Sequence, residues 1–473
     1  MVKKTYLTTT LPYVNADPHI GFALELVQAD IMARTKRLRG EEVFFNTGTD
    51  EHGLKIYRAA EAAGLLPQDY VDGYAQRYVE LQTVLNISTD AFIRTTAPVH
   101  IAATQELWRR CEKDIEKKKF KGLYCVGCEA FVKEKDLIAG NCPDHRTPPE
   151  EVEEENYFFK FSRYQNKLLA YLKSDQVIIP EFKRLEAETF VKNGLEDFSI
   201  SRLKSKMPWG IPVPGDSDQV MYVWFDALTN YISTLGWPSE NGDFKKFWQE
   251  GETIQLAGKD QVRFQSLMWQ SMLLSAGIKN TDTVVYHGFI NVDGQKMSKS
   301  IGNVVDPIEL VKEYSTDAVR YYLARHINSF EDSDFTMEKF KEAYNAGLAN
   351  GLGNLVSRVM KMAQDNLAGV PEIPDNTVPQ EFFDLLDKFE FNKTADLIWQ
   401  KITKLDHKIQ TTEPFKLIKT DREQGLKIIN ELVVDLYTVG RMLNPIMPAT
   451  SVLIKQLIKD NKTPEQPLFP RKD

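Results

Sequence analysis

Apolar positions along the chain fall into three regimes. Near the start, Tyr6 to Thr10 is a run of aromatic and β-branched residues that predicts a buried strand. The polar turn VNADP follows, and Ile20, Leu24, Val27, Ile31 and Leu38 then recur at helical spacing. Gly40 ends that helix, and Glu42 to Phe45 opens a second strand. A strand–helix–strand start predicts a parallel, doubly wound sheet. From about Lys113 to Asp218 the pattern breaks into a charge run (EKDIEKKKFKG), a Cys/His segment, an acidic run (PPEEVEEEN) and the Pro-rich WGIPVPGD. Such punctuation reads as an insert that leaves and re-enters the sheet. Beyond it MYVWFDA, TIQLAG and TVVYHGFI read as three further strands with helical patterns between them.

From about Asp332 the period is helical to near the end. Phe383, Leu386 and Phe389 form one face. Leu397, Ile398, Ile402, Leu405 and Ile409 form a second, and Ile428, Ile429, Leu432, Leu436, Val439 and Leu443 a third. Pro445 and Pro448 stop the last of these. The expected organisation is the first half of an α/β sheet domain over 1–113, an insert over 114–219, the second half over 220–331 and an all-α bundle over 332–473. A length of 473 residues suits about three domains of the usual size.

Composition narrows the class. With 27% charged, 42% hydrophobic and 11% aromatic residues, collagen-like, disordered and disulfide-scaffold chains are excluded. The net charge of -8 excludes a uniformly basic nucleic-acid binder and leaves room for local basic sites. The start lacks a signal-peptide run, and no apolar stretch approaches the roughly 18 residues of a membrane span. A cytoplasmic setting is expected.

Three short motifs carry candidate chemistry. PHIGF (Pro18 to Phe22) falls where a strand hands over to a helix. Unpaired N–H groups and the positive end of the helix dipole there suit an anion, and Gly21 lets a ligand approach the backbone. KMSKS (Lys296 to Ser300) follows a strand-like run. Two lysines among hydroxyls suit a loop closing on a polyphosphate as charge develops. Singly these motifs are as compatible with a helix cap and an exposed basic hairpin; together, in this order, they are far more specific. The third is Cys125-x-x-Cys128 followed by Cys142-x-x-His145, a set suited to one closed, structural, tetrahedral zinc, with Cys111 a bystander.

Together LPYVNADPHIGF, FFNTGTDEHGLKI, YVWFDALTNYI and VYHGFINVDGQKMSKS resemble the class I aminoacyl-tRNA synthetases. Within that class the chain closely resembles the methionyl-tRNA synthetase family, across essentially its whole length. The resemblance implies a Rossmann catalytic domain split by a connective insert with a zinc knuckle at about 122–146, then a helical anticodon-binding domain. It implies activation of methionine with Mg-ATP to methionyl-adenylate and transfer to the 3'-terminal ribose of tRNA. His19, Gly21 and Phe22 would hold ATP, with Lys296, Ser298 and Lys299 on its phosphates. Asp50 would pair with the substrate ammonium. Leu11, Tyr13, Trp224, Tyr231 and His287 would line the side-chain pocket, with Tyr231 and His287 as polar tips near sulfur. Arg202, in SISR, would position the reacting groups. Asn354 and Arg358, four apart on one helix face, and Phe415 would read the anticodon.

Phe22 stands where the family's first signature carries a second His, Gln265 and Gln270 sit in a stretch where RFH and Trp-Pro are usual, and Phe415 replaces a Trp. Alternatives are a catalytically impaired tRNA-binding paralogue, a cysteinyl relative and a small-molecule nucleotidyltransferase. An insert of about a hundred residues leaves no space for an editing domain, which argues against the branched-chain relatives. With no dimerisation domain expected after the bundle, a monomer is expected. A chain of this charge would meet tRNA through local sites: the Lys117 to Lys121 run, KMSKS and the Arg358 face.

Overall fold

The computed structural model describes residues 2–127, 130–143, 146–297, 302–375 and 377–472. It resolves into two compact units, Met1–Pro18 with Gly40–Glu80 and Thr89–Tyr286, and His19–Arg39 with Leu81–Ser88 and His287–Asp473.

The first unit is built on a six-stranded sheet. Its order is Ala91–Arg94, Glu42–Thr49, Lys4–Thr8, Glu252–Gly258, Thr283–His287 and Ile178–Ile179. Pairing along it is parallel wherever register is defined, as in Leu7 opposite Phe45 and Ile254. The outward steps from the first strand are the doubly wound pattern expected from the strand–helix–strand start. Close approach is built in at Gly48, where a Cβ would lie 1.8 Å from the Ile93 carbonyl of the neighbouring strand. Tyr6, Leu107, Trp108, Phe225, Trp248, Trp269 and Tyr286 fill one continuous core.

One expected strand is a helix. Asp216–Met221 is extended, but Val223–Leu228 is helical. A continuous apolar run of this length is equally compatible with a buried strand or a buried helix. The polar residue within it decides the matter: a helical turn delivers Asp226 to two histidines.

The span 114–219 contains antiparallel sheets. Ile115–Cys125 pairs along its length with Glu150–Phe159, flanked by Ala130–Val132 and Phe198–Ser199, and Ser201–Leu203, Pro212–Val213 and Asp216–Met221 form a second sheet. The charge run is therefore half of a ladder rather than a basic patch. Lys119 faces Glu155 and Lys121 faces Glu153 across the strands. Lys121 also meets Glu151 at 2.7 Å and Lys117 meets Asp216 at 2.7 Å. Cross-strand pairing of opposite charges stabilises the ladder and neutralises much of the lysine run as a phosphate-binding surface.

The second unit opens on the helix Ile20–Leu38 and continues through a small sheet into helices. The small sheet pairs Ile290–Val292 with Gln295–Lys296 and Ser333–Phe335. Asp293 and Gly294, both at positive φ (51° and 72°), make its two-residue hairpin turn. The long helices Phe391–Thr412 and Arg422–Leu443 bury the apolar faces expected of them, Ile398, Ile402, Leu405 and Ile409 on one and Ile428, Leu432, Leu436 and Val439 on the other. Pro448 begins the next helix, Pro448–Lys459. Helix Ile20–Leu38 is tied into this unit by a fully buried ion pair, Asp30 with Arg320 at 2.7 Å. Among the described residues no helix is long and apolar enough to cross a membrane.

Candidate active site

In the first unit, candidate residues collect where parallel strands end, the position at which open α/β sheets place ligands. Asp50 follows the strand Glu42–Thr49. Its N–H donates to the Pro12 carbonyl (3.0 Å) and its carbonyl accepts from Val14 (3.2 Å), so the loops after two adjacent strands are knitted into one rim. The Asp50 side chain is buried, and Leu11 and Tyr13 on the same rim are half-buried.

The two residues after Asp50 are anchored separately. The Glu51 carboxylate takes a bidentate contact from Arg94 (2.6 and 3.0 Å) and the Thr49 hydroxyl (2.6 Å). His52 donates Nδ1–H to Asp226 at 2.7 Å, and Asp226 meets His100 Nε2 at 2.7 Å with its other oxygen. Burial pushes the Asp226 carboxyl up, but the two histidines outweigh it and hold it below the ordinary aspartate range. Glu51, His52, His100 and Asp226 escaped the sequence reading. The visible signal was DEH at a strand end and a lone Asp inside an apolar run.

An aromatic wall comes from two neighbouring stretches of the same unit. Trp224 stacks on Phe264 with centroids 3.8 Å apart and planes 12° from parallel. Tyr231 is buried and donates its hydroxyl to Gln265 Oε1 at 2.9 Å. A thioether packs well against such rings. The polar partner of Tyr231 is thus Gln265, one of the two departures from the expected pattern. Gln270 acts elsewhere, its amide donating to the Gln265 carbonyl and the Thr281 hydroxyl, each at 3.0 Å.

In the second unit His19 caps the helix Ile20–Leu38, its Nδ1 accepting from the Gly21 N–H at 3.1 Å. A side chain at Gly21 would crowd this cap. A Cβ there would stand 3.0 Å from the His19 ring and 3.4 Å from Met297 Cε. The Ile20 N–H donates to the Val305 carbonyl (3.1 Å), so the helix start is also held by the segment after KMSKS. His19 is exposed and Phe22 half-buried. The backbone of Lys296 pairs with Asn291 in the small sheet. Ser298 and Lys299, like the Lys296 side chain, lie outside the described residues.

Two further candidates are engaged by other side chains. His287 has both ring nitrogens engaged within the second unit, Nδ1 with the Gly288 carbonyl (2.7 Å) and Nε2 with the buried Glu25 carboxylate (2.9 Å). Arg202 is buried, bidentate on Glu154 at 3.0 Å through both contacts, with its guanidinium 4.1 Å from the centroid of the Tyr124 ring. A guanidinium removed from water needs such a carboxylate.

Of the knuckle set, Cys125 ends its strand and Cys142 sits in a turn closed by Cys142 N–H to Thr147 and Arg146 N–H to Cys142 (2.9 and 2.8 Å). Both thiols are buried. Cys128 and His145 lie outside the described residues. Cys111 is sealed in the core, where burial pushes its thiol up to about 12.

On the helix Asn354–Asn366, Asn354 is exposed and Arg358 partly exposed, with the Arg358 guanidinium paired to Asp406. Phe415, on Pro414–Thr420, is 44% exposed.

The family described as "tRNA synthetases class I (M)" matches residues 5–149 and 144–360. The methionine–tRNA ligase of Caldanaerobacter subterraneus subsp. tengcongensis is 40% identical over 95% of this chain and 73% of its own length. That of a Nostoc species is 40% identical over 96% of this chain and 90% of its own. Among solved structures, Mycobacterium tuberculosis methionyl-tRNA synthetase in complex with methionyl-adenylate superposes with a TM-score of 0.92 at 35% identity, covering 98% of this chain and 95% of that one. The parallel sheet followed by a helical region is thus a class I aminoacyl-tRNA synthetase fold. Within that class, the chain belongs to the methionyl-tRNA synthetase family.

Proposed function

We propose that methionine activation rests on the strand-end rim, the aromatic wall and the helix start described above. The chain is an ATP-dependent, AMP-forming aminoacyl-tRNA synthetase: it activates methionine to methionyl-adenylate with release of pyrophosphate, then charges tRNA. In this reading Asp50 takes the methionine ammonium, and Leu11, Tyr13, Trp224 and Tyr231, with Gln265 behind Tyr231, take the side chain. His19 and Gly21 at the helix start receive ATP, which arrives with Mg, and Lys296, Ser298 and Lys299 stabilise the leaving pyrophosphate. Phe22 supplies apolar contact to the nucleotide. The observation that carries the reading is a buried carboxylate at a strand end in the same unit as an aromatic wall, a pairing suited to an ammonium and a thioether on one small molecule.

One zinc fits the knuckle. Cys125 and Cys142 are buried thiols, one at a strand end and one in a tight turn, and Cys128 and His145 complete a Cys3His set. Bound there, the ion supplies a structural crosslink to the insert over 114–219. Asn354, Arg358 and Phe415 read the anticodon, with Phe415 as stacking platform. A cytoplasmic monomer, with catalytic halves over 1–113 and 220–331 and the anticodon domain over 332–473, accords with this picture.

Pyrophosphate exchange run separately with each amino acid tests the assignment. Exchange with methionine is expected. Exchange with cysteine and none with methionine would assign a different class I activity, and normal tRNA binding with no adenylate at saturating ATP would assign an inactive paralogue.

A further inference from the structure

The turn after Glu42–Thr49 carries three consecutive ionisable side chains, and each faces different surroundings. Asp50 is held by its backbone to the rim at Pro12 and Val14, and Glu51 by Arg94 and Thr49. His52 reaches across to Asp226 on the helix Val223–Leu228. That helix also bears Trp224, and the adjoining Asn230–Ser233 bears Tyr231. Asp226 is fully buried, and each of its oxygens accepts from a different histidine at 2.7 Å. His100, on Pro98–Cys111, is itself fixed by Ser233 at 2.9 Å and by Thr104 at 3.2 Å.

We infer that Asp226 is a positioning residue for amino-acid binding, bridging His52 and His100 so that the turn carrying Asp50 and the helix carrying Trp224 keep one fixed geometry. The inference rests on the reading of Asp50 and Trp224 as amino-acid contacts. An ionised carboxylate suits the observed arrangement. Two donors arrive at one side chain, and it must accept from both without offering a proton to either. An asparagine accepts from one histidine and presents an N–H group to the other, so one link is lost while size is kept. Misplacing a substrate-holding group by about 1 Å costs on the order of 100-fold in rate. Substrates held elsewhere are spared. ATP, received at the His19 helix start in the second unit, is the internal control.

The test is methionine-dependent pyrophosphate exchange with the full chain, varying methionine and ATP separately. Asp226→Asn is expected to raise the KM for methionine by about 10- to 100-fold while leaving the KM for ATP within about twofold. His52→Ala should show the same split. His52→Asn places an amide N–H near the Nδ1 position and should recover most of the loss. If Asp226→Asn does not fold, the His52 pair decides. Equal rises in both KM values, unchanged kinetics, or His52→Asn as impaired as His52→Ala would each overturn the proposal. Exchange by the wild type with another amino acid would sink the methionine reading alone, and the same split measured with that amino acid would still test Asp226.

Discussion

Arg320 is the side chain on which the second unit depends most heavily. It is fully buried and uses four contacts: Asp30 at 2.7 Å and the carbonyls of Ile446, Pro445 and Leu85 at 2.8, 2.8 and 3.1 Å. Asp30 in turn accepts from Arg34 (2.7 Å) and from the Ser88 N–H and hydroxyl (2.7 and 2.6 Å). Replacing Arg320 by Met keeps volume but leaves Asp30 only Arg34 and Ser88 and takes a donor from three carbonyls. Breaking a buried pair from one side costs about 3–5 kcal/mol. Whole domains are stable by only about 5–15 kcal/mol, so this is a large fraction of the total. Asp30→Asn should cost clearly less. Arg320 keeps its three carbonyls in that variant, and the new amide oxygen can still accept from Arg34 or Ser88.

Because the chain has two compact units, a single unfolding midpoint is a poor measure. Amide hydrogen exchange in the helices Ile20–Leu38 and Thr316–Arg325, which carry the pair, reads it directly. A loss of 3–5 kcal/mol corresponds to about two to more than three decades of faster exchange. The KM for ATP should rise in parallel, since His19 and Gly21 sit at the start of one of these helices. The pH dependence follows from Asp30. Burial alone would raise its carboxyl, but Arg320 and Arg34 more than offset this and hold it below the ordinary value. A depressed folded pKa contributes stability that is present above the unfolded value, about 3.9, and is lost as pH falls through the folded one. Asp30→Asn should flatten that acid limb. Exchange in both helices of Arg320→Met within tenfold of wild type would refute the reasoning.

Gly21→Ala should raise the KM for ATP by about tenfold or more in pyrophosphate exchange, because its Cβ meets the capping His19 ring at 3.0 Å. Arg358→Ala should lower aminoacylation of tRNA and spare pyrophosphate exchange, and equal losses in both would remove Arg358 from anticodon reading. Metal analysis should find about one zinc per chain in the wild type and markedly less in Cys125→Ser, whose insert should also become protease-sensitive. In native protein Cys111 should resist alkylation at pH 8, since burial pushes its thiol up to about 12.

Much of this architecture is written in local pattern, and particular residues show where pattern stops. The period of Ile20, Leu24, Val27 and Ile31 is a property of one helix face, and these positions are buried in Ile20–Leu38 as expected. The strand TIQLAG is likewise buried on both faces because a central parallel strand is covered on both. VWFDA failed because an apolar run has no period to read, and its one informative residue, Asp226, is informative only through His52 and His100, which lie far away in sequence.

The same distinction separates site candidates placed by a short motif from those whose partners lie far away in the chain. His19, Gly21 and Asp50 owe their positions to a strand end or a helix start, which a short motif encodes. Arg202 and His287 sit in comparable stretches, yet their side chains are committed to Glu154 and Glu25, 48 and 262 residues away in the chain. A charged side chain in the interior must find a counter-charge, and which one it finds is decided by tertiary folding rather than by its neighbours in sequence. The lysine run obeys the same rule on the surface. Five residues that look like a phosphate-binding patch in one dimension become, once Ile115–Cys125 pairs with Glu150–Phe159, the positive edge of a ladder whose negative edge was already visible as EEVEEE. A charge run therefore argues for nucleic-acid contact only when no run of opposite sign lies at hairpin distance to absorb it. By that criterion the Arg358 face too is partly spoken for by Asp406, so Asn354 and the exposed ring of Phe415 carry more of the case for an RNA surface than the arginine does.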